Sequence, residues 1–491
     1  MRRAVLAAAL AICASGAACA DSALVAAAKA QDTAAALALL DDQVNANETE
    51  PDGTTALHWA VHYEDLALVR RLVAAGASVT AANEYGATPM SEAAVAGNAA
   101  VIAVLLDAGA NADSPNGEGQ TALMVVARSS NVAAAQLLIE RGANVNARES
   151  RKGQTVLMWA AAQSQPEMVE LLLAHGAVID ARSNVHEWER QTTAEPRMKG
   201  LPSGGFTPLL YAAREGCLQC TRLLLDAGAA IDLPDPDGVT PLLSAILNAH
   251  FDTAKFLVER GANVNKWDWW GRSPLYSAVD YSTLPHGGRP DRRSLDETTP
   301  LQMMELLLDK GANPNLQLKL FPPYRSLRMD RGADSILDIG TTPLLRAARA
   351  ADLDAMRLLL AHGALVDLPQ VAGITPLMAA VGMGASSIDT RGKFRSELQA
   401  LDAAAVLVEA GANVNARDER GRSALHAAAA VGYTDVALYL ASNGADLAAV
   451  DADGVGVVDA ALGQLRGRGR GPGEAHQATA VALRERIAAG Q

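Results

Sequence analysis

GFTPLLYA, residues 205–212, decides the fold because it recurs along the chain. GVTPLLSA begins at Gly238, GRSPLYSA at Gly271, GTTPLLRA at Gly340 and GITPLMAA at Gly373. Upstream stand GTTALHWA at Gly53, GATPMSEA at Gly86, GQTALMVV at Gly119 and GQTVLMWA at Gly153. Downstream stand GRSALHAA at Gly421 and a weaker copy, GVGVVDAA, at Gly454. Six of the ten spacings are 33 residues and one is 34. A fixed period of this length means stacked units that bury their apolar faces against one another, not separate globular domains.

Each unit has a physical reading. Thr or Ser at the third position can cap a helix by accepting an orphan backbone N–H. Pro beside it suits the first helical turn, where its missing N–H costs nothing. Leu and Ala then supply one packing face. A second apolar run follows, such as RLLLDAGA, and its Gly (76, 142, 176 and 228) falls where a helix needs a left-handed C-terminal residue. Polar turn residues such as NVNARD lead to the next opening Gly. The unit is therefore helix, turn, helix, finger.

This pattern resembles the ankyrin repeat. The matching residues are Thr-Pro-Leu at 207–209, 240–242, 342–344 and 375–377, Ala-Leu-His at 56–58 and 424–426, and Gly-Ala-Asn-Val-Asn at 142–146, 261–265 and 411–415. The resemblance covers 53–463 and implies a mainly α solenoid of about eleven helix-turn-helix units with short β-hairpin fingers. Residues 21–52 read as a degenerate capping unit, and Gly454–Leu462 begins the closing cap. Arg466, Arg468 and Arg470 alternate with Gly in 464–473, as in RNA-binding tails, but the acidic composition favours a flexible linker. Residues 474–491 suggest a last helix, docked or loose.

The first 20 residues read as an export signal: Arg2-Arg3, a short apolar core, then Ala18-Cys19-Ala20 before a cut at Asp21. Cys19 raises a lipoprotein alternative, although Gly16 stands where a lipobox wants a larger apolar residue. The expectation is an exported chain, periplasmic or secreted. Its charge of −13 becomes −15 when Arg2 and Arg3 leave, which disfavours nucleic acid and anionic membrane. No later apolar run is long enough to span a bilayer.

The period breaks in four places. Gly176–Gly205 and Gly311–Gly340 are each 29 residues where 10 is normal, so the fingers at 184–204 and 316–339 carry insertions. Gly271–Gly311 and Gly373–Gly411 are 40 and 38 where 23 is normal, placing interhelical insertions at 284–300 and 385–400. The regular blocks are then 53–183, 205–315 and 340–463. Loops of this size in a compact array are usually functional or disordered.

KWDWWGRSPLY, residues 266–276, places half of the six tryptophans on one finger. In ankyrin binders, the variable positions flank the finger's Asp and follow its Gly. The resemblance thus makes Trp267, Trp269, Trp270 and Arg272 candidates for partner contact, with Tyr324, Arg325, Arg328 and Arg331 of the adjoining insertion. Those arginines suit an acidic protein surface, a carboxylate or a phosphate. Packing of the tryptophans beneath the insertion is the competing reading. Trp59 and Trp159 read as stacking between units. The resemblance gives His58 and His426 framework hydrogen bonds between units, whereas His175 and His362 suit helix C-termini.

Cys217 and Cys220, separated by two residues at a helix N-terminus, admit plain packing, a structural disulfide or redox function. His186 beside Glu187 and Glu189 is poorly spaced for a metal. No nucleophile elbow, phosphate loop or metalloprotease motif occurs. The expectation is a monomeric protein-binding scaffold without catalysis, cofactor or metal. The alternative is an enzyme, or a binder of sugar or cell-wall ligands, whose site is built from the insertions.

Overall fold

The structure, a computed structural model, describes residues 23–190, 199–283, 294–320, 336–384, 396–465 and 474–490. Contacts divide the chain into two units, Met1–Asn184 and Val185–Gln491. Both are built from helix pairs.

In the first unit five pairs run from Ala23–Lys29 and Thr33–Asp41 to Val156–Ala162 and Pro166–Ala174. Thr55, Thr88, Thr121 and Thr155 each precede a first helix and accept a backbone N–H through the side chain. Leu57, Val61, Leu72, Ile102, Leu105 and Leu138 are fully buried between the pairs. The degenerate unit at 21–52 is a complete helix pair, so repeat pairing begins before the first recognisable Gly-Thr motif.

The second unit opens with an antiparallel hairpin, Val185–Arg190 paired with Lys199–Gly204. This is the finger insertion at 184–204, and it simply lengthens its finger. Seven helix pairs follow, from Pro208–Glu215 and Leu218–Asp226 onward. Thr207, Thr240, Ser273, Thr342 and Thr375 cap first helices that have Pro in the first turn. Each such cap stabilises its helix by about 1 kcal/mol.

One boundary and the number of units differ from the sequence reading. The interhelical insertion drawn to residue 400 ends earlier, because Ser396 and Gln399 form a reciprocal capping box that starts helix Glu397–Glu409. The helix before it is short, Pro376–Ala380. The C-terminal helix Gln477–Ala488 docks as the second member of the last pair, burying Thr479, Ala480 and Leu483. Its Thr479 hydroxyl meets that of Thr434 at 2.7 Å, and His476 N–H donates to Ala461 O at 2.7 Å. Residues 464–473 thus join two helices of one pair, and the described residues hold twelve pairs, not about eleven.

The regular fingers are tight turns more than strands. Isolated bridges occur at Thr49–Thr55, Arg148–Thr155 and Val450–Gly456. An Asp or Asn three residues before the opening Gly accepts two backbone N–H groups of its own turn. Asn83, Asn116, Asp235, Asp268, Asp418 and Asp451 all do this. Such a side chain substitutes for strand pairing.

Candidate functional site

The tryptophan finger starts where helix Phe251–Glu259 ends. Asn265 reaches the next unit, donating to Gly311 O at 2.8 Å and accepting from Asn313 N–H at 2.7 Å. Its counterparts Asn47, Asn146, Asn315 and Asn415 clamp the following Gly-Ala turn in the same way. Asn suits the position because its amide both donates and accepts. These clamps escaped the sequence reading, although the second Asn of Asn-Val-Asn marks three of the five.

Asp268 organises the tip. Its Oδ1 accepts from Trp270 N–H at 3.0 Å and Arg272 N–H at 2.9 Å, and its Oδ2 accepts from Arg272 Nε at 2.6 Å. The backbone is also tied on both sides. Trp269 N–H donates to Asp237 O at 2.7 Å, and Trp270 O accepts from Lys319 N–H at 2.8 Å. Gly271 has φ +83°, and a Cβ there would sit 2.6 Å from Lys319 N, so glycine is required by both conformation and approach.

This geometry separates the four candidates on the finger. Trp270 is 7% exposed and Arg272 5%, so neither presents a surface to a partner, contrary to the expectation. The cause is Asp268, 1% exposed, whose buried charge needs a cation close by. The Arg272 guanidinium fills that need and lies 5.1 Å from the Trp270 ring, which helps shut out water. Trp267 is 42% exposed, with Lys319 Nζ 3.3 Å from its ring centroid. Trp269 is 65% exposed, and its indole has no hydrogen-bond, ion-pair or ring partner among the described residues.

An open cleft of about 580 Å³ lies beside the finger, lined by Trp267, Gly271, residues 315–319, Ile339 and Gly340. Its far wall is the base of the second finger insertion. There Leu318 N–H donates to Thr341 O at 3.0 Å and Gly340 N–H to Leu318 O at 2.7 Å. Leu318, Ile336 and Leu337 are buried, which fixes both ends of the insertion. Tyr324, Arg325, Arg328 and Arg331 lie outside the described residues.

The preceding finger is acidic. Burial raises the Asp235 carboxyl to about 6, helped by the charge of Asp237. Burial and the charge of Asp268 raise Asp237. Burial also raises Asp268, against the pull of Arg272 and the backbone amides. Asp235 and Asp268 are each held by their own turn. The Asp237 carboxylate has no hydrogen-bond or ion-pair partner among the described residues.

Other candidates resolve as structure. Cys217 and Cys220 form a disulfide in the first turn of helix Leu218–Asp226, with exposures of 8% and 0%. His58 Nδ1 lies 3.1 Å from Thr55 N, and its Nε2 lies 3.1 Å from Ala87 O in the next finger. His426 repeats this with Ser423 and Val455 O, and burial lowers both imidazoles. His175 and His362 meet helix C-terminal carbonyls at 2.9 Å. Trp59 donates to Glu50 at 3.0 Å and stacks on Tyr63, while Arg128 of the preceding first helix lies over Trp159. A buried ion pair missed in the sequence, Asp280 with Arg346 at 2.6 Å, joins helices Pro274–Ser282 and Pro343–Ala350. Among the described residues no three His, Cys, Asp or Glu side chains converge as metal ligands, and no helix is long and apolar enough to cross a membrane.

Comparison with known proteins agrees with this architecture. A family model described as ankyrin repeats (3 copies) matches residues 23–116, 92–183, 192–268 and 209–318. A model of the single ankyrin repeat matches 339–369, and one of ankyrin repeats (many copies) matches 394–441. No curated protein matches. Among solved structures, the human ASB11 ankyrin repeat domain is 24% identical over 49% of this chain and 99% of its own, with TM-score 0.40. The ankyrin repeat domain of Bcl-3, titled a unique member of the IkappaB protein family, is 27% identical over 46% of this chain and 93% of its own, with TM-score 0.39. With repeat models matching well over half its length, the chain belongs to the ankyrin-repeat family.

Proposed function

We propose that the chain is an exported scaffold that binds a protein partner, as a monomer and without catalysis of its own. The observation that carries this reading is Trp269. Its indole is 65% exposed on a backbone tied to both neighbouring fingers. A large rigid side chain on a fixed backbone loses little entropy on binding, and tryptophan is enriched where truncation costs most. Trp267 and the cleft beside it extend the surface towards Leu320 and Ile339, which are 39% and 38% exposed.

Arg325, Arg328 and Arg331 add cationic groups to the adjoining insertion and suit acidic groups on the partner. Export is supported by the basic, apolar and small-residue pattern of residues 1–20. It is tested by N-terminal sequencing of the mature chain, which should begin at Asp21; retention of Met1 would refute it. The binding reading is tested by capture on the immobilised chain. Trp269→Ala should lose the captured partner while melting like the wild type. Unchanged capture by that variant would refute the role of the finger. The competing sugar or cell-wall reading rests on the cleft at Trp267. It predicts that soluble oligosaccharides quench tryptophan fluorescence in the wild type and not in Trp267→Ala.

A further inference from the structure

We propose that the surface centred on Trp269 binds a partner segment that places an arginine or lysine against the Trp269 indole and the Asp237 carboxylate. This deepens the binding reading above and rests on it. Three observations converge. First, Trp269 N–H donates to Asp237 O at 2.7 Å, and Gly238 lies against the backbone of residues 267–269. The exposed indole and Asp237 therefore belong to adjacent residues of two fingers with a fixed separation. Second, the charges of Asp237 and Asp268 act on Asp235 and that of Asp268 acts on Asp237, while the one guanidinium here, that of Arg272, acts on Asp237 and Asp268. Arg272 is already committed to Asp268 and to the Trp270 ring. Lys266 is turned to Asp232 O, and Lys319 sits on Trp267. Third, Asp237 is the carboxylate of the three that no described group satisfies, and it is only half-buried.

A cation from outside would relieve this imbalance. An indole face attracts cations through its quadrupole, and a neighbouring carboxylate adds a direct ion pair. Arginine suits the site best, because its planar group stacks on an aromatic ring while its edge meets a carboxylate. An acidic or purely apolar segment would leave Asp237 desolvated and unpaired, which opposes binding. The charge pattern also gives the partner a direction. Its basic residue lies towards the 235–238 finger.

The test uses the full chain and fluorescence anisotropy at physiological ionic strength. The probes are a labelled peptide alternating Arg and Leu and its Ser-for-Arg and Glu-for-Arg counterparts. The Arg peptide should bind about tenfold tighter than the Ser peptide, and the Glu peptide weakest. Asp237→Asn should erase the preference for Arg over Ser without lowering the thermal midpoint. Glu419→Gln, at the equivalent exposed tip of another finger, should leave that preference intact, which separates a local site from attraction by the overall negative charge. Trp269→Ala should weaken all three peptides. Absence of Arg-peptide binding, survival of its preference in Asp237→Asn, or equal loss in Glu419→Gln would overturn the cation proposal. Undiminished binding by Trp269→Ala would instead overturn the finger reading on which it rests.

Discussion

Two fingers of the second unit share one skeleton and differ at their tips. Asp268-Trp-Trp-Gly-Arg272 and Asp418-Glu-Arg-Gly-Arg422 have the same Asp, Gly and Arg spacing. Asp418 accepts from Arg420 N–H, Arg422 N–H and Arg422 Nε at 3.0, 2.9 and 2.8 Å, matching Asp268. Glu419 N–H donates backward to Ala372 O at 3.0 Å, as Trp269 does to Asp237 O. Arg420 O accepts forward from Ala452 N–H at 2.8 Å, as Trp270 O does from Lys319. The scaffold therefore ties the same backbone groups in both fingers and leaves two side chains per tip to vary. In one finger these are Glu419, which is exposed, and Arg420, which is half-buried. In the other they are a buried tryptophan that seals an ion pair and an exposed one whose indole has no hydrogen-bond, ion-pair or ring partner among the described residues.

That comparison can be broken by substitution. Arg272→Ala leaves the sealed Asp268 charge uncompensated and should cost about 3–5 kcal/mol in urea unfolding followed by circular dichroism. Arg422→Ala should cost less, about 1–2 kcal/mol, because the Arg422 side chain is 21% exposed and water can replace it. Equal losses would mean that Trp270 seals nothing. Trp270→Ala should cost about 3 kcal/mol by opening a cavity over the pair, whereas Arg420→Ala should stay below about 1 kcal/mol.

Acidity sharpens the contrast, since the two regions respond to pH in opposite senses. Asp235, beside the tryptophan finger, has its folded value raised from 3.8 to about 6. Its contribution is fully present below about pH 4 and is lost as pH rises through about 6. Asp235→Asn removes the charge and keeps the turn acceptor, as Asn83 and Asn116 do elsewhere. It should stabilise the chain by about 2 kcal/mol at pH 7.5 and by nothing near pH 4. His426, which follows the Asp418 finger, is lowered from 6.5 by burial. Its contribution is present above pH 6.5 and is lost as pH falls towards the folded value. Replacing His426 by Gln should therefore flatten the stability profile below pH 6.5. A profile unchanged by either substitution would remove the assigned groups.

The array was legible in the sequence because most units repeat the residues their geometry requires. A capping Thr or Ser, a Pro in the first turn and a left-handed Gly at the second helix's end are each demanded locally. Composition left the C-terminal helix open, docked or loose, because the Gly/Arg run at 464–473 offers no packing pattern to decide it. The decisive residues lie beyond it, in Thr479, Ala480 and Leu483. At the candidate site the sequence marked the finger but could not sort Trp269 from Trp270. Adjacent turn residues face opposite ways, and which way is set by Asp268 and the neighbouring fingers. The spacing of Asp268 to Arg272, repeated in Asp418 and Arg422, was the available signal that Arg272 is spoken for. Asp237 had no signal of its own, because its exposure depends on the finger stacked against it.

The smallest expected change in stability carries the most weight for function. Trp269→Ala and Glu419→Ala should each shift unfolding by no more than about 0.5 kcal/mol, since both side chains are exposed. The direct test measures unfolding and partner capture on the same preparations of Trp269→Ala and Trp270→Ala. The account predicts that Trp269→Ala unfolds at the wild-type urea concentration and captures no partner, while Trp270→Ala unfolds earlier. A Trp269→Ala chain that is destabilised as much as Trp270→Ala and still captures its partner would contradict it.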